Sequence, residues 1–357
     1  MDMLLEYFII TFLFSLGATL LVGLIMKKIG IIDRAKVEKR KIHTKNIPLG
    51  GGLAIFLVFF SSLAIAFASG HLGSDVPLKK IVGLFFGSLI LMIGGFLDDK
   101  YRLRPIQQIW FPILASVVAI GFGVGLESIT HPTGGVLYLN QIKISIDGLG
   151  NFLVLADALV FFWLMGMMFT TKLLDGMDGL ATGIVTIGAC MVFFISRQEQ
   201  WFQPEISLMS LIFAASCLGF LMCNFHPAKI FLGEGGSLFI GYILGSLAII
   251  SGSKIATTLL VMGIPMLDVA RVIIRRLQKK QSIFAGDSEH LHFRLLESGL
   301  GQRRTVFLFY SIAFIFGIST LFLQTHQKVI ALMFLFILML LVGVWFSKKD
   351  ERKQIKN

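Results

Sequence analysis

Charge is what this chain most lacks. Only 15% of its 357 residues are Asp, Glu, Lys or Arg, against about 25% in an ordinary soluble domain. That shortage, spread over the whole length, excludes a water-solvated globular protein. Cysteine is also scarce. Cys190, Cys217 and Cys223 lie in or beside apolar runs and lack metal-type spacing, so they read as small buried apolar residues. No cleavage-like site follows the first apolar run, which opens with Asp2 and Glu6; it reads as a retained helix rather than a signal peptide. No separate soluble domain, low-complexity linker, clear internal repeat or nucleic-acid motif is present.

What is there is apolar. Hydrophobic residues make up 55% of the chain, Phe alone contributes 34 residues, and mean hydropathy is +0.82. The apolar runs repeat at the length a bilayer demands, roughly 18 residues or more. They predict spans at about 4–26, 50–69, 80–97, 107–126, 152–170, 179–196, 206–223, 236–252, 255–274, 305–323 and 328–347. Lipid cannot satisfy open backbone groups, so the spans must be helices or a closed barrel. A barrel needs alternation, and these runs are apolar at both parities. The expected fold is an all-α polytopic integral membrane protein of about eleven transmembrane helices. Residues 1–347 form one transmembrane domain and 348–357 a basic tail.

The net charge is +11, and its placement sets the expected orientation. With the N-terminus outside, the inner segments hold 26 of the 32 Lys and Arg residues, leaving Lys79, Lys80, Lys143, Arg197, Lys254 and Lys328. Such a bias marks the cytoplasmic side and puts the C-terminus there. The basic residues also attract anionic lipid. The longest outer segment, about 127–151, carries a polar–apolar alternation at Gln141–Ile146 that predicts a short hairpin.

The chemistry-bearing residues collect in the inner loops 27–49, 98–106, 171–178, 224–235 and 275–304. Adjacent Asp98 and Asp99 end the third span; if both ionise they require a cation or metal beside them. The i,i+3 spacing of Asp175 and Asp178 puts both on one side if the turn is helical, with Gly176 and Gly179 leaving room for close approach. Lys172, three residues earlier, can pair with these acids or meet a phosphate. In Phe231-Leu-Gly-Glu234-Gly-Gly-Ser237, glycines flank a carboxylate before a helix, as in loops that offer N–H groups to phosphate. In Gly286-Asp-Ser-Glu289-His290-Leu-His292-Phe-Arg294, two His and an Arg suit a phosphate or nucleotide; a lone His-x-His is weak evidence for zinc. The segment Lys39–Gly52, with Lys45 inside it, is an orientation anchor or a cradle for an anionic headgroup. Each group alone also reads as a solvated loop. Together they combine hard oxygen ligands, suited to Mg²⁺ held by acids and substrate phosphates, with bases suited to a phosphorylated substrate. A phosphoryl transfer involving a lipid is the expected chemistry.

These stretches resemble the polyprenyl-phosphate N-acetylhexosamine-1-phosphate transferases, the group that includes undecaprenyl-phosphate GlcNAc-1-phosphate transferases and phospho-MurNAc-pentapeptide transferases. The resemblance runs over about 1–325 and rests on HTKNIPLGGG, GFLDDKYRL, LLDGMDGLATG, FLGEGGSLFIG, PMLDVARVIIRR and GDSEHLHFRLL. It implies transfer of a HexNAc-1-phosphate, GlcNAc-1-phosphate first, from a UDP-amino sugar to polyprenyl phosphate. UMP leaves and a polyprenyl-diphospho-sugar primes a cell-envelope glycan. It implies Mg²⁺, or Mn²⁺ in its place, and a plasma-membrane protein with a cytoplasmic active site; a homodimer is compatible. It implies catalytic roles for Asp98, Asp99, Asp175 and Asp178, metal ligation by Asp178 and Glu234, and substrate binding by Lys45, Lys172, His290, His292 and Arg294. The chain departs from the family pattern in carrying Glu234 for Asp, Lys172 for Asn and Phe293 in the histidine motif. A direct displacement is the preferred route, with an aspartyl-phosphate path as its rival. Two other classes compete: a transporter, which needs charges at the midplane, and a membrane prenyltransferase, which needs two Asp-rich helical motifs.

Overall fold

The computed structural model describes residues 2–34, 46–126, 128–130, 135–139, 143–146, 150–252, 254–278, 280 and 290–356, with side chains except at 129, 130, 136, 143–146, 150–152 and 342–356. Fourteen α-helices run through these residues: α1 Asp2–Ile29, α2 Gly51–Ala68, α3 Leu78–Tyr101, α4 Pro105–Gln108, α5 Trp110–Gly121, α6 Val154–Leu174, α7 Leu180–Ile195, α8 Pro204–Asn224, α9 Glu234–Ile250, α10 Ile255–Val261, α11 Gly263–Gln278, α12 Leu291–Glu297, α13 Gln302–Ser319 and α14 Thr325–Lys356. Every predicted span coincides with a helix or a broken helix. Five helices, α1, α2, α3, α6 and α8, are long and apolar enough to cross a membrane, or six if the bent pair α10–α11 counts as one span. The protein is a helical membrane protein.

Two predicted spans are not single rods. The run 107–126 becomes α4 and α5 and stops at Gly121. The run 255–274 breaks at Met262, and α11 departs from α10 at 76°. Gly263 and Pro265 explain the break: proline tolerates the first turn of a helix but cannot continue the ladder of the one before it. The alternating stretch does form a strand pair, with β5 Lys143–Ile146 antiparallel to β6 Gly150–Leu153; a second pairs β3 Ser128–Thr130 with β4 Val136–Tyr138.

The core lies on the inward faces of α2, α3, α6, α7, α8 and α9. Tyr242, Phe59, Phe213, Phe220 and Phe239 are its largest fully buried side chains. α9 is enclosed almost along its length, and α6, α3, α2 and α7 pack around it. By contrast Leu5, Leu13, Leu21 and Leu24 on α1 are exposed, as a lipid-facing surface requires.

Glycine sets the closest approaches. A Cβ on Gly52 would overlap the Gly236 backbone, and one on Gly95 would overlap the Gly235 backbone. The N-terminus of α9 therefore seats backbone to backbone between α2 and α3. Hydrogen bonds lock this seat: Gly51 N–H donates to Phe231 O at 2.8 Å, Gly52 N–H to Leu232 O at 2.9 Å and Phe231 N–H to Pro48 O at 3.0 Å. Two sequence motifs about 180 residues apart are thereby joined.

Candidate active site

The acids converge at the end of the bundle where α3 and α6 finish and α7 and α9 begin. Asp99, at the last turn of α3, accepts the Glu234 backbone N–H at 3.2 Å. Gly233, at φ +77, leaves space for the Asp99 carboxylate, which any Cβ there would strike. Glu234 reaches Lys172 at the end of α6, with Nζ–Oε2 at 2.7 Å. Lys172 also donates to Gln108 Oε1 at 2.9 Å. Gln108 Nε2 in turn donates to Asp98 Oδ1 at 3.0 Å, where the Leu103 N–H also arrives at 2.7 Å. Asp98, 8% exposed, is thus a cap for the chain reversal after α3, while Asp99 faces open space. That space is a cavity of about 270 Å³ walled by Met26, Leu53, Met92, Phe96 and Leu232, with Asp99 on its lining.

Asp175 lies in the α6–α7 turn. Burial, then the charges of Glu234, Asp178 and Asp99, push its carboxyl well above the usual range. Lys172, three residues earlier, pairs with Glu234. Asp178 is tied to the α8–α9 loop, with Oδ2 2.7 Å from His226 Nδ1 and accepting the Ala228 N–H at 3.2 Å. Asn224, 1% exposed, accepts the Gly179 N–H and donates to Ile230 O, fixing both loops. Tyr310 of α13 donates to Gly179 O.

The histidine segment closes the same corner. His290 Nδ1 lies 3.0 Å from Asp268 Oδ2, which also accepts the Leu291 N–H, while Asp268 Oδ1 pairs with Arg271 at 2.8 Å. His292 lies against Gly176: a Cβ there would sit 2.8 Å from its Nε2. Its ring stacks near His290 at 5.7 Å and contacts Phe293 at 4.3 Å. His292 is 2% exposed, and Nε2 has no hydrogen-bond partner within the protein. Burial and then His290 hold its pKa down to about 4. It is therefore neutral at pH 7, a directional hydrogen-bonding group rather than a cation. Arg294 is buried in the same short helix, α12.

Thus Asp98, Asp99, Lys172, Asp175, Asp178, Glu234, His290 and His292 join through a continuous set of contacts and charge interactions. Lys45 lies outside the described residues, as do Gly286, Asp287 and Glu289. Gln108, Asn224, His226 and Asp268 were not singled out from the sequence. Among the described residues, no three His, Cys, Asp or Glu side chains are grouped to hold a metal ion unaided.

Fold and site together define a helical membrane protein with a carboxylate-rich polar centre at one end of its bundle and an apolar cavity opening beside it. The model for "Glycosyl transferase family 4" matches residues 81–252. A Bacillus subtilis protein named a probable undecaprenyl-phosphate N-acetylglucosaminyl 1-phosphate transferase is 32% identical, over 94% of this chain and 90% of its own. A decaprenyl-phosphate N-acetylglucosaminephosphotransferase of Mycobacterium leprae is 30% identical, over 82% and 77% respectively. A phospho-N-acetylmuramoyl-pentapeptide-transferase of Halalkalibacterium halodurans is 30% identical, over 80% and 87%. The chain belongs to glycosyl transferase family 4.

Proposed function

We propose that this protein transfers a HexNAc-1-phosphate, GlcNAc-1-phosphate first, from a UDP-sugar to a polyprenyl phosphate, releasing UMP and priming a cell-envelope glycan. The names of its relatives support the reaction. The observation that carries the reading is the junction at Asp99: an acidic, Lys-bearing centre on one side and an apolar cavity on the other. A phosphate on an isoprenoid tail needs both surfaces within one molecule's reach.

The lipid phosphate oxygen attacks the sugar-linked phosphorus, that phosphorus–oxygen bond to UMP breaks, and UMP departs. Asp99 takes the role at the lipid phosphate because its carboxylate meets the cavity, whereas Asp98 is spent on capping α3. Lys172 neutralises diphosphate charge. His292 offers its Nε2 to the substrate beside Gly176, and His290 is held in place by Asp268. Charge placement of this kind does most of the work in phosphoryl transfer.

Mg²⁺ fits this donor set. The ion ordinarily takes one or two carboxylates and completes its shell with substrate phosphates and water. Glu234 and Asp178 would hold it, and when bound it would stabilise charge on the diphosphate. The reading places eleven crossings in the plasma membrane, the N-terminus outside and the site in the cytoplasm.

The test is UMP release by purified protein given undecaprenyl phosphate, Mg²⁺ and a panel of UDP-amino sugars. Release needs all three together. Failure with every sugar, from folded protein, would reject the proposal.

A further inference from the structure

Six Lys and Arg residues fall in the predicted outer segments, and three of them gather at one corner of the molecule. Arg197 follows α7, Lys254 precedes α10, and Lys328 lies in the first turn of α14. The corner is at the far end of the bundle from the acids: α7 and α9 start at the candidate active site and finish here. Gln198 Nε2 donates to Leu321 O at 2.7 Å and closes the corner.

Lys254 is 7% exposed. Its ammonium donates to Ser196 Oγ at 2.8 Å and Gln203 Oε1 at 2.7 Å, both neutral. Among the described residues Lys328 Nζ reaches only Thr257 Oγ1, at 3.4 Å, and its charge repels that of Lys254. Arg197 lies over the Phe202 ring. No carboxylate pairs with Lys254 or Lys328 among the described residues; Glu205, the buried acid nearby in sequence, is committed to the Ser74 and Val76 N–H groups at 2.7 Å. Burial and Lys328 together bring Lys254 down to about 8. Two cations sharing a half-buried corner without an anion cost free energy that a bound anion would remove. Lys328 has two ammonium protons free for it, and Lys254 one.

We propose that Lys254 and Lys328 form an anion site for a phosphate monoanion or phosphodiester, on the face opposite the candidate active site. Its two sources are the headgroup of an anionic phospholipid and free inorganic phosphate. The site is separate from the transfer reaction, and its test does not depend on that reading.

The experiment follows thermal unfolding of the full chain in a neutral detergent, titrated with short-chain phosphatidylglycerol, phosphatidylcholine or inorganic phosphate. Lys328→Gln is the primary variant, being partly exposed, and Lys254→Gln the second. Phosphatidylglycerol should raise the melting temperature of the unaltered protein saturably, with half-saturation about tenfold weaker in Lys328→Gln, as loss of one charged hydrogen bond implies. An equal response to inorganic phosphate assigns the site to phosphate itself; a response to phosphatidylglycerol alone assigns it to the lipid. Equal responses in Lys328→Gln and the unaltered protein, or no saturable response to either anion, would overturn the proposal. UMP release should be unchanged in Lys328→Gln.

Discussion

Asp98 and Asp99 are neighbours in sequence with different work. Asp98 accepts two N–H groups that fix the reversal after α3, and Asp99 faces the cavity. Asp99→Asn should lower kcat by about 10²–10⁴, the usual scale for a positioned acid–base group, with an unchanged melting temperature. Asp98→Asn should lower that temperature as well. Lys172 bridges Glu234 and Gln108. Lys172→Ala should cost about 1.5–3 kcal/mol of diphosphate binding, seen as a raised KM for the UDP-sugar; an unchanged KM removes Lys172 from the site. Asp175 is one source of pH dependence. Its folded pKa is raised, so its folded state holds the proton more tightly than the unfolded chain does. The stability it contributes is present below about pH 4 and is lost as pH rises through the folded value. Without divalent cation or substrate, Asp175→Asn should therefore melt higher than the unaltered protein at pH 8, with the gap closing toward pH 4. These acids were legible in the sequence because carboxylates beside apolar runs stand out. Gln108, Asn224 and His226 were not, since each works through a partner far along the chain or in an adjacent loop; Asp268 lay inside a matched stretch, but its tie to His290 was hidden.

At the scale of elements, the helices were legible from apolar run length, and the breaks within them were not. A 20-residue apolar run looks continuous whether or not Gly263 and Pro265 divide it, and the 76° turn that carries Asp268 toward His290 is a tertiary fact. The seat of α9 was equally hidden. Its glycines read in sequence as a phosphate loop; in the fold Gly235 and Gly236 serve contact with Gly95 and Gly52. That contact brings the Glu234 N–H to Asp99. Gly95→Ala should thus cost about 1–3 kcal/mol, the range for overpacking, because the atoms it strikes are backbone and cannot rotate aside. The same change should remove most UMP release, since it pushes Glu234 off Asp99. Calorimetry or thermal unfolding in detergent, run beside the activity assay, checks both; full activity in a stable Gly95→Ala protein would show that the seat does not position the site.

Across the whole molecule, charge divides the two ends. The site carboxylates and the His290–His292 pair lie where α3, α6 and α8 finish, and the Lys254–Lys328 corner lies at the other end. The proposed orientation, drawn from the positive-inside rule, has the first end cytoplasmic, and the proposed odd number of crossings puts the two termini on opposite sides. Ser74, in the α2–α3 loop, and Ser298, after α12, are both exposed and stand at opposite ends in this arrangement. In a chain with Cys190, Cys217 and Cys223 replaced by Ala, Ser74→Cys should react with an impermeant maleimide on intact cells. Ser298→Cys should react only after permeabilisation. The reverse pattern would turn the candidate active site outward, where no UDP-sugar pool exists to feed it. Labelling of both positions from one side would mean that the loops share a face, and the count of eleven crossings would be wrong between them.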